Sequence, residues 1–222
     1  MKFSKETITI LKNYSSINPN VMLKKGSVLT TISPQRNVVA SVSIEEEFPV
    51  DFGIYDLSQF LGVLSLFSEP DVTFTEKVAT FKEGKNSIKY YAADAAVLKL
   101  PPDKQIKFPN ADVSLKITST QLGQVIKTAG VLGAPDFSIV GDGETISLVV
   151  GDLKVDTGNQ FSIDLDPTDM TDMPFSANFK VENLKMIVQD YSVKISSKGL
   201  SKWTAESGDM TLYVALESTS KF

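Results

Sequence analysis

The chain of 222 residues contains no cysteine and no histidine. Without cysteine there is no disulfide, no zinc–thiolate centre and no thiol nucleophile. Without histidine the commonest general base, the usual nitrogen ligand for metals and every serine–histidine triad are excluded. Long hydrophobic runs are missing as well. No stretch approaches 18 uninterrupted apolar residues, and Met1-Lys2-Phe3-Ser4-Lys5-Glu6 has none of the apolar core of a signal peptide. The expectation is an intracellular, unanchored protein with no membrane partner. Catalytic motifs are equally scarce. Gly84-Lys85 lacks the earlier glycine of a phosphate loop and is followed by Asn86 rather than Ser or Thr. No Gly-x-Ser-x-Gly elbow occurs. The chain reads as a non-enzyme with no cofactor and no metal.

What is present is an ordinary globular composition, 42% hydrophobic and 22% charged, with a net charge of −5. The length suits one large domain or two smaller ones, each able to bury a core. Against that acidic total, two short amphipathic segments keep their polar sides basic. Around residues 4–14 the apolar positions are Ile8, Leu11 and Tyr14, with Lys5, Thr9 and Lys12 opposite. Around residues 118–129 they are Leu122, Val125, Ile126 and Ala129, with Gln121, Gln124 and Lys127 facing away. Residues 1–16 hold three lysines and one acid, and residues 116–133 hold two lysines and none. An acidic protein that keeps these faces basic is organised to meet a polyanion on one surface only.

Alternating runs at 17–23, 27–32 and 38–44 predict strands, broken by turn-like Lys24-Lys25-Gly26 and Pro34-Gln35-Arg36-Asn37. Asp56, with Gln59 three residues on, caps a helix whose apolar positions are Leu57, Phe60, Leu61 and Leu64. Strands follow at 71–75, 78–82 and 87–91. Residues 92–111 carry Pro101, Pro102 and Pro109 and read as a connector. The second half repeats the order: a strand at 113–117, the capping box Thr118-Ser119-Thr120-Gln121, and strands at 137–140, 145–150, 154–156 and 161–165. A helix is expected over 181–188 with Leu184, Ile187 and Val188 inward, then strands at 192–196, 201–205 and 211–216. The expected organisation is α+β: two similar domains of short helices on antiparallel sheets, 1–92 and 112–222, joined by a connector at 93–111, with four helices in all.

These residues carry a specific likeness. Met1-Lys2-x-Ser4-Lys5, Leu11-Lys12-Asn13, Ile17-Asn18, Met22-Leu23-Lys24, the block Ile54-Tyr55-Asp56-Leu57-x-x-Phe60-Leu61-Gly62-x-Leu64-Ser65-Leu66, and Tyr213-Val214-Ala215-Leu216-Glu217 resemble the sliding clamps of T-even-type bacteriophages. The resemblance covers residues 1–67 and the last ten or so; over 70–180 only the element order matches. It implies the DNA clamp fold and a polymerase processivity factor: a homotrimeric ring of six similar domains that encircles duplex DNA and tethers the replicative polymerase in the infected bacterial cytoplasm. It also implies an ATP-dependent loader and late-transcription factors as partners. On that reading Lys2, Lys5, Lys12 and Lys127 face DNA, joined by Lys116, Lys180 and Lys185, through loose phosphate contacts without base information. Partner tails would seat on Leu98, Leu100, Ile106 and Phe108 of the connector and on Tyr213 and Leu216.

Two acidic blocks read as solvated outer loops. One holds Glu45, Glu46, Glu47, Asp51 and Asp56; the other holds Asp164, Asp166, Asp169 and Asp172. The second fails the EF-hand pattern, with Asp169 at the glycine position and Phe175 where the bidentate glutamate belongs. Trp203 and the phenylalanines are expected in the core. A rival reading is a trimeric phage structural protein with no DNA-tracking role, in which the lysines need share no wall.

Overall fold

Ser4 opens the first helix because its hydroxyl can accept the amide of Thr7, 3.1 Å away, while its own backbone stays extended. Helix α1 (Lys5–Ile17) then buries Thr7, Ile10, Leu11, Tyr14 and Ile17, one stripe at helical spacing, and leaves Lys5, Thr9 and Lys12 exposed. In this computed structural model, which describes residues 1–102, 106–155, 157–165 and 174–222, the chain forms two compact units, 1–105 and 106–222.

In the first unit the short strands β1 (Val21–Leu23) and β4 (Phe52–Ile54) pair antiparallel. β2 (Gly26–Ile32) pairs with the long β3 (Val38–Phe48), with a register shift between Gly26 and Val28. Helix α1 packs on β2 and β3, where the Tyr14 hydroxyl donates to the Leu29 carbonyl at 3.2 Å. Helix α2 (Leu57–Ser65), capped by Asp56 accepting from the Gln59 amide, packs beside α1. Strands β5 (Asp71–Phe74), β6 (Val78–Glu83) and β7 (Asn86–Tyr91) complete the unit as a three-stranded antiparallel sheet. An aromatic cluster of Phe48, Phe52, Phe60, Phe74 and Phe81 fills its core, the rings meeting mostly edge to face at 5.2–5.6 Å.

The second unit repeats the plan. β8 (Val113–Ile117) leads into α3 (Ser119–Leu132), which opens on the Thr118–Gln121 capping box and ends at Gly133 in the left-handed conformation, φ 61°. Strands β9 (Asp136–Gly141), β10 (Ile146–Gly151), β11 (Phe161–Leu165) and β12 (Phe175–Lys180) form a sheet in the order β11-β10-β9-β12 under that helix. β13 (Tyr191–Ser196), β14 (Leu200–Ala205) and β15 (Met210–Ala215) line up in the order β15-β14-β13-β8. Trp203 is fully buried, its indole N–H donating to the Ser201 hydroxyl at 2.9 Å.

Several expectations need correction. The helix expected over 181–188 is a single 3-10 turn at Val181–Asn183; among the described residues there are three α-helices, not four. The reason lies at its start. Lys180 offers no side-chain acceptor to the first turn, unlike Ser4, Asp56 and Thr118. Leu184 and Met186 are buried in alternation, whereas Val188, expected inward, is 49% exposed. The strand expected at 154–156 is a turn at Leu153 and Lys154, because the Asp152 carboxylate accepts the Lys154 amide at 2.9 Å; Asp156 lies outside the described residues. Glu45, Glu46 and Glu47 are not loop: they extend β3 to Phe48. Of the other acidic block, Asp164 lies on β11, and Asp166, Asp169 and Asp172 lie outside the described residues. Strand β4 was not expected at all.

At Gly53 the backbone runs tightly against the segment around Ala93. Its carbonyl accepts the Ala93 amide at 2.8 Å. A Cβ there would clash with the Ala93 carbonyl oxygen and lie 3.0 Å from Leu98 Cδ1. Gly53→Ala should therefore destabilise the protein by about 1–3 kcal/mol through backbone displacement. Urea denaturation checks it; Gly62→Ala, inside α2 with open space around the new methyl, should instead stabilise the protein by about 0.5–1 kcal/mol.

Candidate nucleic-acid interface

Lysines on a helix can offer a cationic face only if the helix is held with that face outward, and here each lysine-bearing helix is held at both side and end. The sides are the buried stripes: Ile10, Leu11, Tyr14 and Ile17 in α1, and Leu122, Val125 and Ala129 in α3. Ile8 and Ile126, expected in those stripes, are half-buried. The ends are held by acids from distant segments. Glu46, on β3, accepts both the Ser4 amide and, at 2.5 Å, the Thr7 hydroxyl. Asp190 accepts the Ser119 amide at 2.6 Å at the start of α3. Burial alone would raise the Glu46 pKa, but the hydrogen bonds from Ser4 and Thr7 outweigh it and hold the carboxyl below its ordinary value. The Ser119 amide likewise lowers that of Asp190. The sequence pattern places Glu46 in a solvated loop and marks no role for Asp190. No local pattern marks either, since their partners lie 42 and 71 residues away.

Lys5 and Lys12 on α1, Lys127 on α3 and Lys185 are exposed. Three further candidates have acidic neighbours. Lys2 Nζ lies 3.1 Å from Glu69, whose hydrogen bond and charge raise its pKa; both side chains are largely exposed, so the pair is weak. Lys116, on β8, lies 3.5 Å from Glu206. Lys180 is in a different situation. It sits on β12 directly across from Asp136 of β9, and its Nζ is 2.5 Å from a carboxylate that is 3% exposed. The other Asp136 oxygen accepts the Leu153 amide at 3.1 Å. Lys180 therefore neutralises a buried acid that also anchors the turn after β10.

The apolar candidates are placed as follows. In the first unit, Leu98 and Leu100 are half-buried. The segment around them is tied down by Asp94 capping a 3-10 turn and by the Asn18 side chain donating to the Lys99 carbonyl at 2.9 Å. In the second unit, Ile106 and Phe108 are half-buried, and the Phe108 ring lies 6.5 Å from that of Tyr213 on β15. Leu216, also half-buried, donates its amide to the Gly199 carbonyl.

A family model described as DNA polymerase processivity factor matches residues 4–98. The chain is 30% identical to the sliding clamp of Vibrio phage KVP40 over 224 residues, covering 98% of this chain and 100% of that one. The chain belongs to the sliding clamps. Identity to the sliding clamp of Enterobacteria phage T4 is 29% over 228 residues, with 99% and 98% of the two chains covered. The DNA polymerase III subunit beta of Borrelia burgdorferi superposes with a TM-score of 0.71 over 99% of this chain and 64% of that one, at 13% identity, a likeness of fold. This clamp is thus a polymerase processivity factor of the T4-like phage group, with the α+β organisation that its element order predicted and the clamp fold that the resemblance implied. No helix among the described residues is long and apolar enough to cross a membrane.

The lysines can be sorted by what their loss does to folding. Lys180→Ala strands a buried carboxylate and should cost about 2–3 kcal/mol, less than a fully buried pair because Lys180 is a third exposed. Lys127→Ala should stay within about 0.5 kcal/mol. Thermal denaturation of the two variants side by side measures the difference.

Proposed function

We propose that three copies of this clamp close head to tail into a ring around duplex DNA, with α1 and α3 turning Lys5, Lys12 and Lys127 to the phosphates. The observation that carries this reading is the state of the strand edges. In the three-stranded sheet, the outer edge of β5 is paired: Met1 and Val72 exchange two hydrogen bonds, each 2.8 Å. In the four-stranded sheet, the outer edge of β12 is paired: Ser176 and Lys221 exchange bonds of 2.8 and 2.9 Å, and Glu217 donates to Asn178. The opposite edges, β7 and β11, pair with no backbone group among the described residues. An open edge is a template for another strand, and these two lie on different units. A contact between two different surfaces of identical chains is heterologous and forms a ring when its rotation closes.

The side chains on the two edges match. On β7, Ile88 and Tyr90 are half-buried while Ser87, Lys89 and Tyr91 are exposed. On β11, Phe161 and Ile163 are half-buried while Ser162 and Asp164 are exposed. Antiparallel pairing would put the apolar residues on one face and bring Lys89 toward Asp164 on the other. Polymerase and loader would be the protein partners. Phe108, Tyr213 and Leu216, with Ile106, Leu98 and Leu100, are proposed as contacts for their apolar tails. Contact with DNA would be sequence-independent and sensitive to salt. The chain itself would carry no catalysis, so ring opening falls to a separate ATP-driven loader. Lys2, Lys116 and Lys185 remain secondary contacts in this proposal; Lys180 is better explained by Asp136.

Two experiments test the reading. Lys89→Glu should lower the mass seen by light scattering at micromolar concentration, and Lys89→Glu with Asp164→Lys should restore it; a variant that stays trimeric after the single change would remove the β7–β11 contact. Changing Lys5, Lys12 and Lys127 together to Glu alters the charge by two at each of three positions. That variant should fold and assemble, because surface sites shift stability by only about 0.5 kcal/mol each. It should nevertheless be loaded poorly and support short synthesis tracts. Normal tract length would mean these helices do not face DNA.

A further inference from the structure

We infer that Lys194 and Lys202 form a carboxylate site beside the proposed tail contacts, so that the partner tails this clamp takes are acidic as well as apolar. This rests on the proposed role of Phe108 and Tyr213 in seating those tails. Strands β13 and β14 bring Lys194 and Lys202 directly opposite one another. Residues paired in this way hold their Cβ atoms about 5 Å apart, and like charges there destabilise a sheet. The chain has a net charge of −5, so acids to offset the pair are plentiful. None is used here. Among the described residues neither lysine forms an ion pair or a side-chain hydrogen bond.

The pair belongs to a longer row. Ser114 of β8 lies across from Lys194, and Tyr213 of β15 lies across from Lys202. By strand alternation these four side chains share the face opposite buried Leu115, Val193, Trp203 and Leu212. Each can donate a hydrogen bond, and among the described residues none has a hydrogen-bonding partner for its side chain. The acids of neighbouring segments are engaged elsewhere. Glu206 accepts the Ser192 hydroxyl at 2.6 Å and pairs with Lys116, and Asp112 accepts the Ser197 amide at 2.6 Å. A row of free donors with no acceptor among them is complementary to a carboxylate.

Ammonium groups alone would suit any polyanion, but these border apolar side chains. The Phe108 ring lies 6.5 Å from that of Tyr213. Leu200 and Ala215, directly opposite each other two residues along the same strands, are half-buried. A duplex backbone of sugar and phosphate has no large apolar group to set against them. A peptide with an apolar side chain on Phe108, Tyr213 and Leu200 and a carboxylate on the lysines matches both. Strands lie about 4.8 Å apart, which puts the middle of the lysine pair about 7 Å from Tyr213. An extended peptide rises about 3.3 Å per residue, so its acid stands about two residues from its apolar side chain.

The test uses the full chain and two dye-labelled ten-residue peptides that differ at one residue. One carries an aspartate and the other an asparagine, each two positions from a leucine–phenylalanine pair. Fluorescence anisotropy at low salt should show the aspartate peptide bound about three- to tenfold tighter, an advantage that fades as sodium chloride rises. Lys194→Gln with Lys202→Gln should erase that advantage and leave the asparagine peptide within about twofold. This variant should fold, since it removes a like-charge pair. Should circular dichroism show otherwise, each single change gives the same comparison with part of the effect. Equal binding of the two peptides, no binding of the aspartate peptide, or an advantage that survives the loss of both lysines would overturn the inference. Phe108→Ser tests the premise separately. If it leaves both peptides bound as before, the tail contacts have failed; if it weakens both and the two bind alike, those contacts stand and the carboxylate site falls.

Discussion

Strand edges carry a row of unpaired amides and carbonyls, and the way each edge is closed governs what else this chain can be. In each unit a sheet has one edge satisfied within the chain, at Met1–Val72 and at Ser176–Lys221, and one edge left open at β7 or β11. A monomer left this way would expose two pairing surfaces to every neighbour. A closed ring removes both at once and leaves no free edge on these sheets. In the proposed ring, oligomerisation is therefore a consequence of how the sheets end.

The same economy governs charge. The chain is net acidic, but its acids are not spread evenly around the lysine helices; some are used to hold them. Glu46 and Asp190 fix the helix starts, and Asp136 is buried against Lys180 so that the turn after β10 has an anchor. Buried stripes fix the rotation of α1 and α3, and the carboxylates fix their ends. Lys5, Lys12 and Lys127 then stand on rigid supports, which suits a surface that acts by field and proximity more than by specific hydrogen bonds.

Much of this was legible in the chain because it is written locally. The caps at Ser4, Asp56 and Thr118 lie within three residues of the amides they serve, and the helical stripes repeat every three or four residues, so the three α-helices could be read directly. The α+β class followed from their spacing among alternating runs. The failures have the opposite character. Residues 181–188 have an apolar pattern but no acceptor at Lys180 to start a helix, and pattern alone misled. Glu45 to Glu47 looked like solvent-exposed loop, though Phe48 is the last buried position of a strand that passes through them. The roles of Glu46, Asp190 and Lys180 depend on partners 39 to 71 residues away, which periodicity cannot reveal.

The central claim is that β7 and β11 are the surfaces by which copies meet. Amide hydrogen exchange at Asn86–Tyr91 and Phe161–Leu165, followed as protein concentration rises from nanomolar to tens of micromolar, addresses it without any substitution. The ring predicts that outward-facing amides of both strands exchange quickly when dilute and become protected together, at the concentration where the mass reaches that of a trimer. Assembly to a trimer with β7 and β11 still exchanging freely, and with protection arising on other segments, would contradict it.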